Sequence, residues 1–281
     1  LLKRLWQLHA SRGGAAPAGR PMRDAAVLGA ALRRPLAVLR LAVPKYRLLA
    51  PRAVALARSG DAVGPTMLAS VHFDLSPGTS TPPAAIFLAA VLAAAARHAA
   101  RDGVVRLRVP VDLRGALGLG RALGNGCSAV ALEFTRAELL ALDADPPALA
   151  RRARDRLAAL VRAGAQWTTA LECIALACVP AALLRRGAAP GLRASPRTNT
   201  LVVTYLGDLD RHFVGCPLAI RSARTHTATW GVTGFSLAGK LSLNVGAFAG
   251  LWRRDELERF IDDLSHWTAT GFGLTAERSP A

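Results

Sequence analysis

The chain reads as α/β, a mixed sheet flanked by helices, and three observations predict it. Segments that alternate apolar and polar residues are interleaved with segments of helical period. The last third is dominated by strand patterns and ends on an amphipathic helix. With 281 residues, 52% hydrophobic and 20% charged, the chain can bury a sizeable core rather than stay disordered.

In chain order, Leu2, Leu5, Trp6 and Leu8 give one apolar helical face, closed by Ser11 to Gly14. Gly13–Pro21 is a linker. Asp24 caps a helix through Arg33, and further helical pieces run from Leu36 to Ala57, broken by Pro44 and Pro51. Residues 1–65 are therefore expected to be a helical connector, and 66–281 the main lobe. Met67–Leu75 alternates like a strand. A loop follows, and Ser80 or Thr81 is the expected cap of an apolar helix over Pro82–Ala100. Val104–Val111 is a strand, and so is Asn125–Phe134. Glu138–Leu142 is a short helical piece. Pro146–Ala163 is an amphipathic helix whose apolar face holds Leu149, Ala153, Leu157, Leu160 and Val161.

Gln166–Leu184 is the most apolar helix. Glu172 within it and Pro180 near its end favour a core or tunnel-lining role over a membrane span. Thr200–Leu206, Pro217–Arg224, Gly231–Leu237 and Lys240–Phe248 are strands. Leu241, Leu243 and Val245 alternate against Ser242, Asn244 and Gly246, and Ala238–Gly239 is a two-residue hairpin turn. A last helix, Arg253–Thr268, places Asp255 and Glu256 in its first turn.

The formal charge of +17 raises nucleic acid and anionic membranes as partners. Only Lys3, Lys45 and Lys240 are lysines; the other basic residues are arginines spread over every segment, without interleaved aromatics to stack bases. No nucleic-acid partner is expected, and anionic ligands such as a CoA pyrophosphate fit the charge as well. Cys127, Cys173, Cys178 and Cys216 lack metal-ligand spacing, so no metal is expected and a reducing cytoplasm is the default. The Arg/Leu alternation of Leu36–Arg58 reads as a solvated connector, with a membrane-surface helix as the alternative.

The stretch Val104–Asn125, VVRLRVPVDLRGALGLGRALGN, carries a strand with a proline near its end, a polar turn, a Gly-rich loop and a Gly-Asn pair. It is similar to the second half of wax ester synthase/diacylglycerol acyltransferases, polyketide-associated acyltransferases and condensation domains of peptide synthetases. The helix segment TSTPPAAIFLAAVLAAAARH holds the place of that superfamily's T-V-N-D-V-x-L-A-A helix. TNTLVVTYLGDLD resembles its S-N-x-G-x-L-D strand, and GFSLAGKLSLNVGAF its S-Y-x-G-x-L-x-L hairpin. The likeness covers roughly Met67–Trp267.

The resemblance implies a chloramphenicol-acetyltransferase-like lobe, the C-terminal one of two that enclose a tunnel. The substrate it implies is a CoA or carrier-protein acyl thioester, with an alcohol or amine as acceptor and no bound cofactor. The superfamily's base is the second His of H-H-x-x-x-D-G in the other lobe, a neutral imidazole that takes the acceptor's proton. This sequence lacks that motif. LLKRLWQL stands where the helix after it would run, so the motif is expected upstream of Leu1, in a missing N-terminal lobe.

Arg114 matches the arginine that pairs with the motif's aspartate across the lobes; a plain surface arginine is the alternative. Asn125 and Asn199 offer amide groups at strand starts near the implied tunnel, with a plain turn role as the alternative; the resemblance also carries over Gly207 as substrate-binding and Ser236 and Gly239 as tunnel-lining. Asp112 and Asp208 suit turn contacts. His72 and Asp74 share one strand face, so a His–Asp dyad is conceivable beside a half-buried strand histidine. His9, His98, His212, His226 and His266 show no partner pattern. Without the catalytic motif the chain is expected to be inactive alone, and a non-catalytic partner lobe, membrane-peripheral or not, is the second reading. A G-x-S-x-G elbow is absent, and Gly118–Gly124 leads into a strand, which disfavours a hydrolase and a dinucleotide site.

Overall fold

The computed structural model describes residues 53–56, 64–75, 78–113, 127–168, 199–210 and 231–278. Seven strands form one mixed sheet in the order β3-β2-β4-β5-β6-β1-β7. They are β1 (Thr66–Asp74), β2 (Val104–Asp112), β3 (Cys127–Thr135), β4 (Leu201–Asp208), β5 (Gly231–Leu237), β6 (Lys240–Phe248) and β7 (Thr275–Arg278). The helices among the described residues are α1 (Pro83–Arg97), α2 (Arg136–Ala141), α3 (Pro146–Ala163) and α4 (Arg254–Phe272).

β2, β4 and β5 run parallel, and β1 shares their direction because both β1 and β5 lie antiparallel to β6. The carboxyl ends of these four strands therefore gather at one end of the sheet, together with the amino end of α1. Pro110 in β2 has no N–H to give; the ladder to β4 pairs Leu107 and Arg108 only, so the proline sits beyond it.

α1 is buried along its whole length from Ala85 to Ala96. A helix apolar all round needs cover on every side, and α1 gets it from the sheet, α3 and α4. Its alanines let these layers approach closely. Gly234 in β5 is part of the same fit: a Cβ there would lie 2.5 Å from Cδ2 of Phe87. Asp145 caps α3 by accepting from the N–H of Ala148, Pro146 opens the helix, and Gly164 closes it at φ 89°. α4 starts with the Arg253 N–H held by Glu256 Oε2 at 2.8 Å.

Two local expectations are corrected. α1 is not capped by Ser80 or Thr81: its N-cap is Pro82, at φ −57° and ψ 138°, with no side-chain bond. The residue before a proline is pushed out of helical conformation, so the Pro82-Pro83 pair moves the boundary inward. Ala53–Leu56, expected to be helical, instead bridges to the start of β2 and to the residues before it: Ala53 pairs with Val104, Leu56 with Ala99, and the Val54 N–H donates to the Val104 carbonyl. Ala53, Val54 and Leu56 are buried, so core contact there overrides helical periodicity. The rest of the connector, most of the Gln166–Leu184 helix and the strand expected at Pro217–Arg224 lie outside the described residues. Residues 165–168 do continue as helix after Gly164.

Candidate functional site

At the carboxyl end of the sheet the chain is stitched by hydrogen bonds between elements far apart in sequence. β4 leaves its register with β5 between Tyr205 and Asp208, where Gly207 adopts φ 86°. Beyond this bulge the Leu209 N–H donates to the Ser236 carbonyl, and Asp208 accepts from the Asp210 N–H, the turn contact foreseen for it. Both carboxylate oxygens of Asp210 accept from the Ala238 N–H, at 3.0 and 2.9 Å. That clasp holds the hairpin turn, in which Ala238 and Gly239 take φ 51° and 73°. The Gly239 carbonyl in turn accepts from the N–H of Leu75 at the end of β1.

Tyr205, which the sequence reading passed over, lies at the same end. Its hydroxyl is 2.6 Å from Ser236 Oγ, and its ring lies 5.7 Å from that of Phe87. Burial pushes the phenol above its ordinary range, against the Ser236 hydrogen bond. A neutral phenol and a serine hydroxyl can pass a hydrogen bond on to a bound oxygen, but carry no charge.

His72 lies on the opposite face of the sheet from α1. Its Nδ1 is 2.8 Å from Ser242 Oγ on the neighbouring strand. Burial lowers its pKa; Glu277 opposes and Lys240 adds to that effect. Ser242 is thus a partner of His72, and Asp74 lies 3.5 Å from Lys240 Nζ. Lys240 also meets Glu277 at 2.7 Å, joining β6, β1 and β7. His98 proves to have a partner, with Nε2 2.7 Å from Asp263 Oδ2 and its ring edge-on to Phe260. This pair joins the end of α1 to α4 and is structural. His266 is exposed.

Of the residues singled out from sequence, Gly207, Ser236 and Gly239 are brought together. Asn199 is not: it precedes β4, at the sheet's amino end, a whole strand of about 25 Å away. There the adjacent Thr200 binds Arg106 and Val54. Arg114 and Asn125 lie outside the described residues. Asp112 is exposed at the end of β2. No group of three His, Cys, Asp or Glu among the described residues could hold a metal. No helix among them is long and apolar enough to cross a membrane.

No family model matches the chain, and no curated protein does. Solved structures do. The epimerization domain from the third module of tyrocidine synthetase B superimposes with a TM-score of 0.61 at 14% identity, over 96% of this chain and 63% of that one. The starter condensation domain of rhizomide synthetase gives 0.57 at 12%, over 96% and 60%. The trichothecene 15-O-acetyltransferase from Fusarium sporotrichioides gives 0.53 at 11%, over 78% and 49%. The chain has the condensation-domain fold. It spans about three fifths of the length of the epimerization and condensation domains it matches. The fold class expected from sequence is thus found in the structure, and in fold the chain is similar to epimerization and condensation domains and to an acetyltransferase. In this fold, the Tyr205–Ser236 pair and the Asp210-clasped hairpin occupy the end of the sheet at which open α/β sheets place their ligands.

Proposed function

We propose that the chain is the C-terminal lobe of an enzyme that moves an acyl group from a CoA or carrier-protein thioester to an alcohol or amine. The observation that carries this is the overlay of 96% of the chain on condensation-type domains. One neighbour of that fold, a doubly mutated starter condensation domain of rhizomide synthetase, was solved in complex with C8-CoA and Leu-SNAC. The catalytic base belongs to the H-H-x-x-x-D-G motif of a partner lobe, and Arg114 is the residue of this chain that would pair with the motif's aspartate. The hydroxyls of Tyr205 and Ser236, held by the bulge and the clasped hairpin, are polar groups available to orient the substrate.

The test is titration of the 281-residue chain with octanoyl-CoA and octanoyl-pantetheine, followed by thiol release assays with alcohols and amines. The chain is expected to bind at least one thioester, to release no thiol alone, and to support release when joined to a lobe carrying the motif. Absence of binding to both thioesters would overturn the reading. So would thiol release by the chain alone that persists in His72→Ala.

A further inference from the structure

The sheet face turned away from α1 carries a polar row across four strands. The register sets Thr204 beside Thr233, Thr233 beside Asn244, and Asn244 beside Ser70. Asn244, in the middle of the sheet, is only 1% exposed. Ser70 Oγ donates to its Oδ1 at 2.7 Å, and its Nδ2 has no partner. Turning the amide over does not remove the problem. Ser70 would then accept from Nδ2, and Oδ1 would be the atom left over. Buried polar groups are almost always paired, because an unpaired one is destabilising. An aliphatic residue, as at Leu243 and Val245 on the other face, would have avoided it.

The next row along the strands differs sharply. It reads Val202, Gly231, Gly246, Leu68. A Cβ added at Gly246 would meet only the Gly231 carbonyl oxygen, at 3.8 Å, which is ordinary contact. Gly246 is also absent from the left-handed region that favours glycine. Among the described residues, neither packing nor backbone conformation calls for glycine at position 246. Two facing glycines leave a strip without side chains between Leu68 and Val202, in which Gly231 is buried and Gly246 partly exposed. Along β6 this strip lies about 7 Å from Asn244.

A floor without side chains, apolar walls and an unpaired amide donor at one end suit a slender chain that carries a neutral carbonyl. The row's four side chains are all uncharged, so a carboxylate or phosphate finds no counter-charge within it. We propose that the Asn244 carboxamide, held by Ser70, donates a hydrogen bond to a carbonyl oxygen of the acyl substrate, whose chain lies over Gly231 and Gly246. This assignment rests on the acyl-transfer reading and names where this lobe holds the substrate.

The experiment compares the wild-type chain with Asn244→Leu and Gly246→Val, measuring the thermal midpoint and the affinity for octanoyl-pantetheine by calorimetry. Asn244→Leu keeps the shape and removes the unpaired group. It should leave the midpoint unchanged or raised and weaken the thioester about tenfold, the size of one lost hydrogen bond. Gly246→Val should fold normally and weaken binding at least as much, by filling the strip. Equal affinity in all three proteins overturns the proposal and leaves the acyl-transfer reading standing. A wild-type chain that binds no thioester overturns both. A lower midpoint in Asn244→Leu with affinity intact would assign the amide to a structural water instead, and overturn the proposal. If Asn244→Leu does not fold, Gly246→Val decides: unchanged affinity overturns the proposal.

Discussion

The hydroxyl of Tyr205 and the Oγ of Ser236 meet at 2.6 Å across parallel strands, spanning the point where the register breaks. The bond ties the bulge in β4 to the end of β5, so it should contribute to stability as well as to the shape of the sheet's end. Tyr205→Phe removes it and keeps the ring on Phe87. The expected loss is about 1 kcal/mol, read from the urea midpoint. In the wild-type protein, burial favours the neutral phenol. Its contribution is therefore intact below the ordinary tyrosine range and is lost as pH rises through the raised folded value. Ultraviolet difference titration should show one of the two tyrosines of the chain ionising late, and Tyr205→Phe should abolish that transition.

Gly234 lies under the ring of Phe87. An alanine there would place Cβ 2.5 Å from Cδ2 and 2.9 Å from Cε2 of that ring. The α1 backbone is locked between the sheet, α3 and α4, so the ring has little room to retreat. Gly234→Ala should destabilise by about 1–3 kcal/mol. Phe87→Leu in the same chain should recover part of that loss, and a double-mutant cycle by chemical denaturation measures the coupling.

His72 is held neutral by partial burial, which depresses its pKa from 6.5. The unfolded chain takes up a proton more readily than the folded one, so stability is full above the ordinary histidine range. It declines as pH falls through that range towards the lower folded value. His72→Gln should reduce the loss of stability between about pH 7 and about pH 5. An unchanged slope in paired urea titrations would mean that other groups set it.

Arg97 grips Asp143 with Nε and Nη2, and the Asp143 carbonyl also accepts from Trp267 Nε1. Both side chains are 28% exposed. A bidentate, partly shielded pair should couple by about 1–3 kcal/mol. The open Arg254–Glu258 pair of α4 should couple by no more than about 0.3–0.5 kcal/mol. Double-mutant cycles at low and high salt separate the two, because salt screens the exposed pair more.

Where the sequence wrote its own boundaries, it could be read closely. α3 runs from Pro146 to Ala163 as expected, because Asp145, Pro146 and Gly164 mark both ends chemically. The hairpin at Ala238–Gly239 and the alternation of β6 were legible for the same reason. β7 was not: Thr275–Arg278 has four exposed residues and no apolar alternation, and it is a strand only because β1 offers it an edge. The Tyr205–Ser236 pair depends on the register between strands 31 residues apart, which no local spacing encodes. The alternation of β6 marks its two sides, but Ser242 and Asn244 on the polar side are buried. Alternation separates two faces without saying whether water reaches the second.

The order of strands has a consequence for how the protein is made. Of the described strands β1 is the first to leave the ribosome, yet its neighbours are β6 and β7, the last two of them. Ser70 waits 174 residues for Asn244, and His72 waits 170 for Ser242. At ordinary rates of translation this is roughly ten to thirty seconds. Throughout that interval Val71 and Phe73, both wholly buried in the finished sheet, have no partner strand. Nascent chains of this topology would therefore be prime clients for a ribosome-bound chaperone. Slowing synthesis after β2 should lengthen the exposure rather than help the domain to fold.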